Sequence, residues 1–406
     1  MCTDVHTCGR LRAVYSLLLA IIYLAFISLG LPDALVGAGW PAMHSDLGVP
    51  LSYAGFITVV IASGTILSSL ASERLTRRFG AGKVTAVSVA MTAAALIGFS
   101  VSHEFWMLLV WAIPYGLGAG AVDAALNNYV ALHYAARHMN WLHSFWGVGA
   151  SISPFIMSHA LGAGAGWSSA YRTVGIIQVV LAVGLLASLP LWGRVNQLPS
   201  AHHDGDGVEG APHGGHVPLP QALRIPGVTF ILAAFFAYCA MESTAILWAA
   251  SYLVQHRGIA AATAAAFASL FLLGITAGRF LAGIFADRVG DTWLIRGGFL
   301  AVALGVLLLA LPGVPNVLAL AGLVIAGLGS APIYPAIIHS TPRNFGAKNS
   351  QAIIGIQMAS AYTGSTLAPP LFGFLSAATG MWILPLFMGA LVVLGLVMSE
   401  RLNKMA

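Results

Sequence analysis

Three carboxylic acids interrupt otherwise apolar stretches of the chain: Asp33 in LGLPDALVGAGWP, Asp123 in GLGAGAVDAALNNYV and Glu242 in YCAMESTAILWAASYL. The other ten of the thirteen Asp and Glu residues fall between apolar runs or at the termini. A charge in the middle of such a run, if the run crosses a bilayer, costs about 2.5–3.5 kcal/mol on the mildest scale, so each acid should face a partner or a wet cavity. Taking a carboxyl out of water favours its neutral form, which suits a proton carrier near neutral pH. The plainer alternative is a structural acid bonded to a neighbouring helix. For Asp33, beside Pro32 and near the end of its run, a wet helix mouth is a further alternative.

The neighbours of these acids suggest what else would enter such a cavity. On a helix, Tyr115, Ala119, Asp123 and Asn127 form one stripe at intervals of four, placing a phenol, a carboxyl and an amide on one face. Tyr238 and Glu242 repeat the spacing, and Trp248 follows on an adjoining face. Asn140, His143 and Trp146 cluster in MNWLHSFWGVG, Tyr334 lies between Pro332 and Pro335, and Gln357 and Tyr362 lie farther on. Amides donate and accept hydrogen bonds without ionising. Aromatic rings offer flat faces to the C–H side of a pyranose and polar tips to its hydroxyls. Together they predict a site for a small polyol, whereas each aromatic alone is better explained by helix packing or an interfacial belt. His143 fits either a titrating role or a helix-end role.

The elements that must hold these residues are membrane helices. With 58% hydrophobic and 8% charged residues, the 406-residue chain lacks the polar surface of a soluble protein. Twelve apolar runs recur, at roughly 13–37, 54–72, 84–101, 105–132, 141–163, 170–192, 228–254, 262–284, 294–311, 316–339, 351–376 and 380–399. Each is long enough to span a bilayer as helix and too uniformly apolar for the strands of a barrel. The first run exceeds a signal peptide's apolar core and leads straight into further spans. Of the 18 Lys and Arg residues, 15 sit at the termini and in even-numbered loops. Positive charge in short loops marks the cytoplasmic side, so both termini are predicted to be cytoplasmic, in a plasma (inner) membrane. The net charge of +5 follows from this asymmetry and does not indicate nucleic-acid binding. Three cysteines, Cys2, Cys8 and Cys239, predict no disulfide.

One long polar stretch, residues 193–225, rich in Gly, Pro and His, splits the runs six and six. It reads as a flexible cytoplasmic linker between an N-terminal bundle, 1–192, and a C-terminal bundle, 226–406; His202, His203, His213 and His216 within it could also bind a metal weakly. The halves carry matching landmarks: Glu73 against Asp287 at an offset of 214, GASISP (149–154) against GSTLAP (364–369) at 215, and Gly118 against Gly327 at 209. Such repeats mark transporters built by duplication. The last alignment sets Asp123 opposite Pro332. Glu73 with Arg74, and Asp287 with Arg288, put opposite charges at helix ends, where they can latch onto the other bundle or a helix terminus in one access state. Gly-rich tracts in spans four, five, ten and eleven suit close helix contact.

GIFADRVG (283–290) resembles the loop signature of the major facilitator superfamily, and SLASERLTRRFG (69–80) is similar to a degraded copy of it. YCAMESTAILWAASYL, TAGRFLAG and GLGSAPIYPAIIHSTPRNFG resemble the fucose permease-like, sugar-transporting branch. The resemblance implies an all-α membrane protein of twelve transmembrane helices in two pseudo-symmetric six-helix bundles, with acids of spans one and four, here Asp33 and Asp123, in proton coupling. The expectation is a secondary transporter that imports a small neutral polyol, a monosaccharide, by proton symport. Sodium coupling and proton-driven export of drugs or metabolites are alternatives. GxxxxGK[ST], Gly-x-Ser-x-Gly and zinc-ligand spacings are absent from the sequence, so neither an enzyme nor a cofactor or metal site is expected, and the protein is expected to be a monomer.

Overall fold

The computed structural model describes residues 5–50, 53–195, 217–259, 261–311, 313 and 315–405. Most of the 193–225 linker, with its four histidines, and Cys2 lie outside the described residues. The described residues are helical or in short turns, with no strand among them.

Ten helical segments are long and apolar enough to cross a membrane: Tyr15–Trp40, Ala54–Phe79, Ala81–Ser100, Phe105–His133, Gly166–Ala187, Val228–Gln255, Leu270–Val289, Asp291–Ala310, Asn316–Phe345 and Met381–Asn403. Two more helices, Ala136–Gly162 and Ala347–Thr379, fill the fifth and eleventh places. At 27 and 33 residues they reach about 40 and 50 Å, ample for a bilayer, but they are less apolar. Their polarity is turned inward: Asn140, His143, Ser144, Ser350 and Gln357 are all buried. Lipid cannot satisfy such groups, so these two spans must present them to protein.

The first span differs from the continuous run expected. Its helices Val5–Gly30 and Leu35–Asp46 are separated by a turn over residues 31–34, because Pro32 lacks a donor and disfavours helix in the residue before it. Span ten breaks where its prolines predict, between Asn316–Ser330 and Ile333–His339. Gly80 (φ 82°) ends span two and opens span three, and Gly290 (φ 79°) does the same between spans eight and nine, a left-handed backbone that favours glycine in both copies of the loop signature.

The chain divides into two compact units, Met1–Tyr129 with Phe145–His216, and Val130–Ser144 with Val217–Ala406. The adjoining ends of spans four and five are thus part of the second unit.

Candidate functional site

In the first unit the turn after Pro32 carries Asp33 outside any helix, where the residue stays exposed. Its two carboxylate oxygens accept from different spans: the Tyr115 hydroxyl donates to Oδ1 and the Trp146 indole N–H to Oδ2, each at 2.9 Å. Both donors are neutral. The carboxyl is therefore held in place without an ion pair.

Asp123 is in a different setting. It is 4% exposed, and the Asn127 amide donates to its Oδ1 at 2.8 Å and to its backbone carbonyl at 3.0 Å. The stripe expected from Tyr115 to Asn127 thus divides: Tyr115, about 12 Å along the helix from Asp123, serves Asp33, while Asp123 accepts from an amide one turn on in its own helix.

The second unit gathers residues from five spans. Glu242 of span seven lies 3.4 Å from the Arg279 guanidinium of span eight. That guanidinium sits 5.9 Å from the centre of the Tyr334 ring, against which His143, Phe235 and Tyr238 pack edge-on. The Tyr238 hydroxyl donates to the Ser330 carbonyl at 2.9 Å, using a group orphaned where span ten breaks. The Tyr334 hydroxyl points to the Met358 sulfur at 3.3 Å. Gln357, fully buried, accepts from Thr341 at 3.1 Å, while Asn140 donates to the Ala136 carbonyl within its own helix. Trp248 does not join this group: its N–H donates to the Pro369 carbonyl and its ring packs on Phe372. A cavity of about 570 Å³ opens in the first unit beside Ile152, Phe155, Ile156 and His159, and none of the three acids lines it.

The loop signature is engaged. Asp287 receives the backbone N–H of Arg137 at 3.0 Å and lies 3.2 Å from its guanidinium, so the acid meets the positive end of the span-five helix. Gly283 leaves room that the Trp141 ring fills, and the Trp141 N–H reaches the Phe280 carbonyl at 3.3 Å. Arg288 is exposed; in the first copy Arg74 is exposed and Glu73 half-buried in the last turns of span two. One further pair escaped sequence reasoning. Asp291, buried at the start of span nine, faces His339 Nδ1 at 2.9 Å, and His339 Nε2 faces the Tyr134 carbonyl at 3.3 Å. Its signal was a second acid, four residues after Asp287 and just past Gly290.

A family model described as Major Facilitator Superfamily matches residues 22–241 and 230–402. The chain belongs to this superfamily. It is a membrane transporter, not an enzyme, with twelve transmembrane helices in two pseudo-symmetric six-helix bundles. The chain is 24% identical over 387 residues to the hexuronate transporter of Bacillus subtilis, covering 87% of this chain and 85% of that one. It is 23% identical over 281 residues to Bypass of stop codon protein 6 of Saccharomyces cerevisiae, covering 65% of this chain but only 56% of the yeast protein. The crystal structure of the Escherichia coli fucose:proton symporter FucP superposes with a TM-score of 0.74 at 17% identity, covering 96% of this chain and 99% of that one.

The superfamily's internal repeat can be registered from packing. Gly64 closes on Gly116 and Leu117, and Gly274 closes on Gly327 and Leu328. Gly118 abuts span three at Ser88, and Gly329 abuts span nine at Gly298 and Val302. Gly116 thus matches Gly327, and Gly118 matches Gly329, a shift of two residues from the alignment expected. Asp123 then stands opposite Tyr334 rather than Pro332. In the same way Gly149 of span five abuts Ile27 and Leu31 of span one, and Gly364 of span eleven abuts Phe236 and Ala240 of span seven. Asp33 follows Leu31 by two residues, and Glu242 follows Ala240 by two. The two acids are equivalents in the repeat.

Proposed function

We propose that this transporter imports a polyhydroxylated solute of monosaccharide size together with protons, by alternating access of its two bundles. The observation that carries the reading is Asp33: an exposed carboxyl gripped only by neutral donors, which can gain and lose a proton without tearing apart an ion pair. Protonation removes a charge that is costly within a membrane protein and so shifts the balance between access states. Tyr115 and Trp146 around Asp33, and Tyr238, Tyr334 and His143 around Glu242, supply rings and polar tips suited to a sugar. Asn127, Asn140 and Gln357 add amides deeper in the same bundles. The structural neighbour FucP is itself a fucose:proton symporter. The positive-charge asymmetry supports a plasma (inner) membrane location with cytoplasmic termini, with 1–192 and 226–406 as the two moving bodies and 193–225 joining them.

Proteoliposomes test this directly. Uptake of labelled sugars should follow an imposed inward proton gradient, and Asp33→Asn should lose gradient-driven accumulation while retaining exchange at equal concentrations. Accumulation that follows a sodium gradient at constant pH would transfer the coupling role to that ion, and no gradient dependence would refute symport.

A further inference from the structure

Arg279 is 5% exposed and lies in a membrane span, yet its bonding is incomplete. A guanidinium offers five N–H donors in a fork that matches a carboxylate. Here the ion pair is a single contact to Glu242 at 3.4 Å, long for a charge-assisted bond; the Tyr238 side chain is within bonding reach of the guanidinium, and Nε is buried without a partner. The same chain makes a closed pair elsewhere: Arg296 grips both oxygens of Glu400 at 2.6 and 2.7 Å on a much more exposed site. The Arg279 pair is therefore left open although its burial makes unfilled donors costlier.

We propose that the transported solute carries a carboxylate, and that Arg279 receives it in exchange for Glu242 as Glu242 takes up a proton. This rests on the proton-coupled uptake of a polyhydroxylated solute proposed above and narrows its solute to a sugar acid. The groups that face the pair are Tyr238 on span seven, Tyr334 on span ten, and His143 of span five, which stacks on Tyr334. The Glu242 side chain is 15% exposed and that of Arg279 6%, so the acid is the more accessible partner. Arg279 and ionised Glu242 cancel in charge. An arriving carboxylate sets two anions against one cation; a proton moving from water onto a Glu242 oxygen restores neutrality, and Arg279 then binds the solute with both arms of its fork. At this pair one proton enters per carboxylate, beside the one coupled at Asp33, and the released Glu242 gains an O–H that donates to a solute hydroxyl. The Tyr334 ring, already beside the guanidinium, offers a face to the sugar ring. The relative in Bacillus subtilis is a hexuronate transporter, which agrees with this solute class.

The test compares D-glucuronate and D-galacturonate with D-glucose and D-galactose, using the full chain in proteoliposomes and thermal shift in detergent. The acids should stabilise the protein and accumulate with a pH gradient, two protons entering per uronate anion, one at Asp33 and one at Glu242. Arg279→Gln should weaken uronate binding by about tenfold or more. Since that change orphans Glu242 and can impair folding, the double variant Glu242→Gln with Arg279→Gln keeps the site neutral and should fold yet show the same loss. Glu242→Gln alone should bind uronate with no pH dependence and fail to accumulate it. Binding and accumulation of the neutral sugars only, or uronate uptake coupled to a single proton, would overturn the inference while leaving polyol symport standing. Binding of none of the four sugars would overturn both.

Discussion

Asp33 and Glu242 stand at equivalent places in the repeat, two residues beyond the backbone that a partner-span glycine touches. Their surroundings differ. Asp33 is held by a phenol and an indole, Glu242 by a buried guanidinium. Duplication placed an acid in both halves, and the partners then set what each acid can do. An acid among neutral donors can change its charge alone. An acid opposite a cation can do so readily only when another anion takes its place, and the proposed carboxylate solute would link protonation at Glu242 to its own charge. On the function proposed above, the first half serves coupling, and the second joins coupling to recognition.

The largest effect should come from removing the cation. Arg279→Ala leaves Glu242 in a membrane span without its partner and should destabilise the protein by about 3–5 kcal/mol, the range for breaking a buried pair. Thermal unfolding in detergent measures it, and adding Glu242→Gln should recover most of the loss. Equal stability of Arg279→Ala and wild type would remove the contrast between the halves. Asp33→Asn should behave oppositely: a loss of no more than about 2 kcal/mol, since one of two hydrogen bonds to an exposed carboxyl is given up, but proton-driven accumulation lost. A large fall in its unfolding temperature would instead make Asp33 a structural acid.

Lipid made much of this legible from the sequence. A bilayer admits only long apolar helices, so twelve runs and a six-and-six division can be read directly, and even the polar fifth and eleventh spans retain the length. Asp33's break was less visible, because hydropathy averaged over a window passes smoothly through Pro32. The register of the repeat slipped by two for a geometric reason. In GLGAG, alternate glycines face different neighbours, Gly116 towards Ile61 and Gly118 towards Ser88, and spacing alone cannot say which neighbour each one meets. The Glu242–Arg279 pair spans 37 positions and two helices, so sequence could suggest it but not its open geometry. Asp291 was hidden because it stands next to a glycine turn and reads as a loop acid, although it is 4% exposed.

The shared glycine contacts offer a finer probe of the equivalence. A Cβ at Gly364 would come within 2.7 Å of the Phe236 carbonyl oxygen, and one at Gly149 would come closer still to that of Ile27. Both obstacles are backbone and yield little. Gly149→Ala and Gly364→Ala should each destabilise by about 1–3 kcal/mol, with Gly149 the more severe. Because each contact lies within two turns of its acid, the first should also impair the Asp33 site and the second the Glu242 site, each leaving ligand binding at the other less affected.

The smallest expected effect concerns the loop signature. Asp287 and Arg137 are 34% and 47% exposed in their side chains, so their ion pair should add no more than about 1 kcal/mol to stability. Its backbone bond is the more informative part: Asp287 caps the start of the span-five helix, and Asp287→Asn keeps an acceptor there while removing the charge. If the acid acts mainly as a helix cap, Asn should preserve both stability and transport rate, whereas Asp287→Ala should slow transport. If the charge itself holds one access state, Asn and Ala should slow transport alike, and raising the salt concentration should reproduce part of the effect in the wild-type protein. The counterpart change, Glu73→Gln in the degraded copy, should alter the rate less than Asp287→Ala; an equal or larger effect would show that the first-half copy latches as strongly as the second.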